Sequence, residues 1–302
     1  MKRYANLDEV KSNKSFKDLR KWQKERRTKV KDLSVNIEQS PDKKIQAIQE
    51  NRSQTSYTWI GHSSFLIQLN GLNILTDPVY AKRMGFEKRL TEPGIALADL
   101  PEIDLVVISH GHYDHLDFPT LKNIKGDPHF FVPVGLQFLF NRKGYNKVTE
   151  MNWWDQCSIG GLTLHFVPAQ HWTRRTLTDM NSSHWGGWIF QTEQETFYFV
   201  GDTGYFIGFK QIVERFSIDT VFMPIGAYEP EWFMAPAHIS PEDSVKAFIE
   251  LNARYFVPMH YGTFRLADDT GPEALERLKR EWKKQQLPQE QLKVLLIGET
   301  VM

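Results

Sequence analysis

Residues 109–117 read SHGHYDHLD, directly after the apolar run LVVI at 105–108. A β-branched run of that kind predicts a strand. The loop leaving it can aim His110 and His112 to one side while Asp114 and His115 turn to the other. That makes two half-sites. Imidazole and carboxylate are ligand types that zinc accepts, and a site with three or four protein ligands keeps a position for water. A close pair of cations acidifies a bridging water to hydroxide and steadies charge on a reacting phosphoryl or carbonyl oxygen. Four ligands on one loop leave such a pair incomplete, so further ligands are expected at distant strand ends.

Three other stretches have that form: VPAQHW ends at His171 and Trp172, FYFVGDTGY carries Asp202, and YFVPMHYGTF carries His260. Each is an apolar run, then a candidate ligand, then Gly or an aromatic residue close behind. One histidine at a strand end is more often a hydrogen-bonded structural group than a ligand. Seven candidates in a recurring context point instead to a metal centre.

Bulk properties leave room for an enzyme and disfavour other classes. A chain of 302 residues is long enough for one two-layered α/β unit with a large core. Its 37 Lys and Arg balance its 37 Asp and Glu, so no overall field draws it to nucleic acid. The balance is uneven along the chain: residues 1–54 hold 15 basic against 8 acidic side chains, or +7, which leaves −7 for residues 55–302. A nuclease wants a basic groove, and the acidic body argues against one. The one cysteine, Cys157, has no partner for an internal disulfide, and the N-terminal residues are charged where a signal peptide needs apolar ones. No run approaches the roughly 18 apolar residues of a membrane span. These features set the expectation of a cytoplasmic protein.

Residues 1–54 read as a basic N-terminal arm, with Phe16, Leu19 and Trp22 on one side of a helix. Two readings stay open: the arm lays Phe16 and Trp22 on the acidic body, or its Lys and Arg residues meet an anionic membrane surface. From residue 55 onward strands are expected at 57–60, 64–69, 72–76, 105–109, 162–168, 187–191, 196–201, 220–224, 255–259 and 292–296. In ISPEDSVKAFIEL, Ser240 suits a helix N-cap and Pro241 the first turn, with Val245, Phe248 and Ile249 as the buried face. Without an internal repeat or linker after residue 55, residues 55–302 are expected to form one domain.

The loop His110-x-His112-x-Asp114-His115 resembles that of the metallo-β-lactamase superfamily. The resemblance covers roughly residues 55–300 and implies an αββα sandwich, two mixed sheets flanked by helices, with the site where the sheets meet. It implies His110, His112 and His171 on a first metal and Asp114, His115 and His260 on a second, with Asp202 bridging. Further stretches, among them TWIGHSSFLI, TDPVY, QHWTRRTLTDMNSSHWGGW, GDTGY and PIGAYEPEWFM, are similar to the phospholipase D family that hydrolyses N-acyl-phosphatidylethanolamine and to its bacterial homologues. That similarity implies two zinc ions, cleavage of a phospholipid or related phosphodiester on its head-group side, peripheral contact with membranes, and homodimers. Iron or manganese accept the same ligand types.

Other residues supplement the ligands. Asp114, Asp202 and His238 are the candidate catalytic groups. Arg174 and Arg175 follow His171 and have forks that match phosphate, although surface charges on a loop read the same way. His238, just before a helix N-terminus, offers a phosphate oxygen an imidazole and free backbone N–H groups, or else it caps and packs. Asp77 is expected to orient a ligand histidine, and His62 to support the site without ligating. His184 is placed near the pocket, and Trp172, Trp185, Tyr228, Trp232 and Phe233 either wall an acyl-chain pocket or form plain core. A lactonase or other carbonyl hydrolase would use the same metals. True β-lactamases often place a cysteine at the second metal, and Cys157 lies outside the 202–260 interval. The non-enzymatic alternative is an anionic-lipid-binding protein working through the arm.

Overall fold

The computed structural model describes residues 2–10 and 14–302; residues 1 and 11–13 of the expected arm lie outside the described residues. In chain order the strands are β1 (Ser56–Gly61), β2 (Ser64–Leu69), β3 (Leu72–Thr76), β4 (Arg83–Met84), β5 (Glu87–Lys88), β6 (Leu105–Val107), β7 (His129–Pro133), β8 (Val148–Met151), β9 (Gln156–Ile159), β10 (Leu162–Val167), β11 (Gly187–Gln191), β12 (Thr196–Phe199), β13 (Thr220–Pro224), β14 (Tyr255–Met259) and β15 (Thr300–Val301). One sheet runs β15-β1-β2-β3-β6-β7-β8, the other β14-β13-β12-β11-β10-β9, and β4 pairs with β5 alone. Both large sheets are mixed, with β3-β6-β7-β8 and β12-β13-β14 parallel and their remaining neighbours antiparallel.

Strand side chains alternate between faces, and the apolar ones sort accordingly. Trp59, Phe65, Ile67, Val107 and Phe131 of the first sheet join Leu164, Phe166, Trp188 and Phe190 of the second in one core. Their chain neighbours Ile60, Leu66, Val106, Phe130 and Val132 turn to the other side, against Ile48, Leu121 and Phe140 of helical segments. Beyond the second sheet, Val245 and Phe248 of helix Pro241–Leu251 and Leu278 and Trp282 of helix Gly271–Lys284 complete the layers. The result is an αββα sandwich. Asn70 and Gly71, between β2 and β3, both have positive φ (50° and 78°), the backbone that a two-residue hairpin turn demands and that Asn-Gly supplies.

Some expectations need correction. Residues 292–296 form no strand: Leu292 makes an isolated bridge to Phe256, and Ile297 one to Gln39. The buried residues there, Leu292, Leu295 and Ile297, are spaced three and then two apart, so the segment rotates instead of holding one edge against β14. Ser240 caps its helix by accepting from the Asp243 N–H, with Pro241 in the first turn, but Ile249 is 46% exposed because Ser244, Ala247 and Leu251 share the buried face with Val245 and Phe248.

The N-terminal residues contact the body at several places. The Asn6 side-chain oxygen accepts from the backbone of His171 at 2.9 Å and from Trp185 Nε1 at 3.0 Å. Helix α1 (Phe16–Thr28) buries none of its residues. Trp22 stacks on Phe233 at 4.9 Å, whereas Phe16, expected beside it on the body, is 72% exposed. No helix among the described residues is long and apolar enough to cross a membrane.

Where β6 and β12 end, the two sheets touch through Gly201 (φ 69°). A Cβ there would stand 2.8 Å from the Ser109 Cβ and 2.9 Å from the Gly186 carbonyl oxygen. Gly201→Ala is therefore expected to lower folding stability by about 2–4 kcal/mol, the left-handed backbone cost plus overpacking. Urea unfolding would report it as a lower midpoint at unchanged slope.

Candidate metal centre

Strand ends from both sheets deliver the candidate ligands. His62 follows β1, Asp77 β3 and His260 β14, each one residue past the strand and each with left-handed backbone (φ 55°, 35° and 61°). Such a backbone is uncommon outside glycine and persists only where the surroundings enforce it. Here it turns the chain sharply as it leaves the sheet.

His110 Nε2 lies 2.9 Å from His112 Nδ1, which lies 3.2 Å from His171 Nε2. Donors about 2.0–2.1 Å from a tetrahedral zinc stand roughly 3.3 Å apart, so these three nitrogens fit around one cation. Asp114 Oδ2 is 3.4 Å from His115 Nε2 and 3.6 Å from His260 Nε2. That is a second group. Asp202 spans the two, its Oδ1 3.1 Å from His260 Nε2 and its Oδ2 3.2 Å from His115 Nε2 and 3.9 Å from His171 Nε2. The nitrogens His115 Nε2 and His260 Nε2 and the oxygen Asp202 Oδ1 are buried and make no hydrogen bond among the described residues. Buried polar atoms that face one another in this way are costly unless something lies among them. The donor set therefore fits metal.

The surrounding groups fix which ring nitrogen faces inward. Asp77 accepts from the Ser109 N–H at 2.7 Å, from Ser109 Oγ at 2.5 Å and from His115 Nδ1 at 2.7 Å, which leaves His115 Nε2 for the cluster. Ser109 Oγ in turn accepts from His110 Nδ1 at 2.9 Å. His171 Nδ1 donates to the Ala237 carbonyl at 2.8 Å. His62 Nε2 sits 3.0 Å from Asp114 Oδ2, so it steadies that carboxylate. Ligand histidines are commonly oriented through their second nitrogen in this manner. Sequence reading expects Asp77 and His62 beside the ligands, and the structure brings them there, each with a donor atom within reach of a possible metal group: His62 with Asp114, His115 and His260, and Asp77 with His110 and His115. Ser109 opens the ligand loop but is not a metal-ligand type, so its role does not show in the sequence, and Asn6, behind His171, gives no signal at all.

Charge in the cluster is divided unevenly. Burial opposes a proton on His260, yet the Asp202 charge and the nearby oxygens of Asp114 and Asp202 raise it to about 9. His115 is likewise buried but held well above its ordinary value by Asp202, Asp114 and Asp77. Burial, with neighbouring histidines, pushes His110 and His171 well below theirs. It also brings His112 and His238 to about 4.

The cluster opens into a cavity of about 650 Å³, on which His112, Asp114, Asp202 and His238 all border. His238 Nδ1 is 3.8 Å from Asp202 Oδ2. No residue from 239–243 lines this cavity, and the Ser240 side chain already takes the Asp243 N–H, so the helix N-terminus does not provide the anion contact expected beside His238. Arg174 is exposed and lines the cavity. Arg175 does not: its Nη1 donates to the carbonyls of Gly111 at 2.8 Å and Leu116 at 3.0 Å, bracing the ligand loop. Among the aromatics, Trp172 and Phe233 border the cavity, and Trp185, Tyr228 and Trp232 do not. Tyr228 is fully buried in the core, Trp185 Nε1 is tied to Asn6, and Trp232 Nε1 donates to Glu25 Oε2 at 3.0 Å. His184 is buried away from the cavity, stacked on Tyr4 at 4.5 Å and packed at 4.1 Å from Trp153.

Comparison with known proteins shows the family and the fold. The family described as the beta-lactamase superfamily domain matches residues 72–261. An N-acyl-phosphatidylethanolamine-hydrolyzing phospholipase D of Caenorhabditis elegans is 39% identical over 226 residues, which cover 68% of this chain and 64% of that protein. The mitochondrial enzyme so named from Saccharomyces cerevisiae is 34% identical over 256 residues, covering 78% and 54%. The chain thus spans less than two thirds of the length of these curated relatives. The structure of a metallo hydrolase from the archaeon Ignicoccus hospitalis matches with a TM-score of 0.63 at 23% identity, over 82% of this chain and 97% of that one, a likeness of fold alone.

Asp77→Ala is expected to weaken zinc affinity about 10- to 100-fold, measured by competition with a chromophoric chelator, because His115 and Ser109 lose their common acceptor. Proton release is expected as well. Ligands bind metal as neutral imidazoles, whereas in the metal-free protein the neighbouring carboxylates, against the effect of burial, favour an added proton on His115 and His260. Zinc uptake at pH 7 should therefore expel protons, and affinity should rise with pH toward 9, the value to which His260 is lifted. Calorimetry in buffers of different ionisation heat would count them.

Proposed function

The chain belongs to the metallo-β-lactamase superfamily, and on that premise we propose that it is a two-metal phosphodiesterase acting on N-acyl-phosphatidylethanolamine or a closely related lipid. The observation that carries this reading is the pair of ligand groups, joined by Asp202, opening on a cavity that has one apolar side and carries Lys14, Arg83 and Arg174. His110, His112 and His171 would hold one cation, Asp114, His115 and His260 the other, with Asp202 between them. Zinc bound there would supply an acidified water and draw charge from a phosphoryl oxygen. The 39% identity to a protein named for this hydrolysis supports the lipid substrate.

The side chains divide the remaining work. Asp114 and Asp202 both border the cavity, so their carboxylates can orient the attacking water and take its proton. His238, which burial keeps neutral at pH 7, donates a hydrogen bond to a phosphoryl oxygen without adding charge. Arg174 and Lys14, also on the cavity, balance the phosphodiester anion. Attack at phosphorus breaks the bond to the ethanolamine oxygen, giving phosphatidic acid and an N-acylethanolamine. A substrate of this kind sits in a lipid surface, to which the +7 arm would be drawn when that surface is anionic.

Zinc-loaded protein given N-acyl-phosphatidylethanolamine is expected to yield phosphatidic acid by mass spectrometry, and His112→Ala to yield none. His238→Ala is expected to lower kcat about 10²- to 10³-fold with metal content retained. Silence from protein holding both metals would discard this lipid and pass the reading to carbonyl esters and lactones, for which the same donors would serve.

A further inference from the structure

We infer that helix α1 is the specificity-determining wall of the cavity, with Leu19 and Trp22 limiting the apolar chain it admits and Asp268 as the clasp that seats them. The inference rests on the phosphodiesterase reading only for the anionic end of the ligand. The cavity's apolar side includes Leu19, Trp22, Met84, Phe233, Met234 and Leu266. Two of these come from α1, which lies outside the 72–261 match. The helix therefore closes a chamber whose remaining walls belong largely to the domain.

Its mode of attachment is unlike that of a core helix. No residue of α1 is buried, so it is not held by an apolar face sunk into the sandwich. Asp268, whose side chain has no solvent exposure, instead accepts from Trp22 Nε1 at 3.1 Å and Lys29 Nζ at 3.1 Å and pairs with Arg26 Nε at 3.6 Å. All three partners belong to α1 or to the residue that ends it. Arg26 also reaches Glu87 of β5 at 3.1 Å, and Lys21 lies 3.9 Å from the centre of the Trp232 ring. A buried carboxylate requires partners of this sort, and the body presents one that only the arm satisfies among the contacts described.

The geometry selects a ligand class. Lys14, Arg83 and Arg174 border the same cavity as the apolar group, which suits a phosphate ester carrying an apolar chain. Filling the chamber from the α1 side should shorten the chain accepted while leaving the metal ligands in place.

The test is calorimetric binding of monomeric butyl and dodecyl phosphate to the zinc-loaded full chain, compared with Leu19→Trp and Asp268→Asn. The wild type is expected to prefer dodecyl phosphate by about 10-fold or more, the scale on which apolar pockets discriminate. Leu19→Trp should abolish most of that preference with zinc stoichiometry intact, and Asp268→Asn should reduce it by loosening the wall. An unaltered preference in Leu19→Trp, or no preference in the wild type, would overturn the inference. Binding is read without turnover, so the role of α1 is tested even in a chain that cleaves no phosphodiester, and a chain that cleaves one can still fail this test.

Discussion

The carboxylate of Asp77, wholly shut off from water, takes three donors, and the order of the site depends on it. One donor is the backbone where β6 gives way to the ligand loop, another is the Ser109 hydroxyl that receives His110, and the third is His115. A single buried anion thus sets the orientation of a histidine in each ligand group. Removing water makes each of these bonds stronger and makes any unpaired group more costly. The arrangement therefore favours completion over compromise.

The same reasoning explains the backbone. A residue one position beyond a strand would ordinarily continue the pleat. Left-handed turns at His62, Asp77 and His260 break the alternation where the sheet stops, and Gly201 allows the end of β12 to approach Ser109 closely. The strands are rigid, so the ligands inherit fixed positions from the sandwich core. The candidate site sits in the few residues past each strand end.

Much of this is legible from local pattern. Ligand types recurring after apolar runs locate His110, His112, Asp114, His115, His171, Asp202 and His260, because strand, turn and ligand are contiguous in the chain. Residues whose role depends on distant partners escape such a reading for the converse reason. Nothing local distinguishes Arg174, which borders the cavity, from Arg175, which braces the Gly111 and Leu116 carbonyls. Tyr228 and Trp232 share one aromatic stretch with Phe233, yet only Phe233 reaches the cavity. Period-two apolar patterns reveal the central strands, whereas 292–296 carries apolar residues without the period and forms a bridge-making edge segment.

The contacts of the N-terminal residues join distant parts of the chain. Asn6 is tied to His171 and Trp185, and the clasp of α1 is Asp268. Chains emerge from the ribosome N-terminus first, at about 5–20 residues per second, so these residues are made well before the groups that receive them. The β1–β15 pairing has the same character, since its second strand lies at residues 300–301. In a nascent chain the candidate ligand loop, the first sheet's interior strands and most of the second sheet are available before Asp268 can receive α1. The candidate ligand His260 precedes Asp268 by only eight residues, so the completed cluster and the contact that fastens α1 become available almost together.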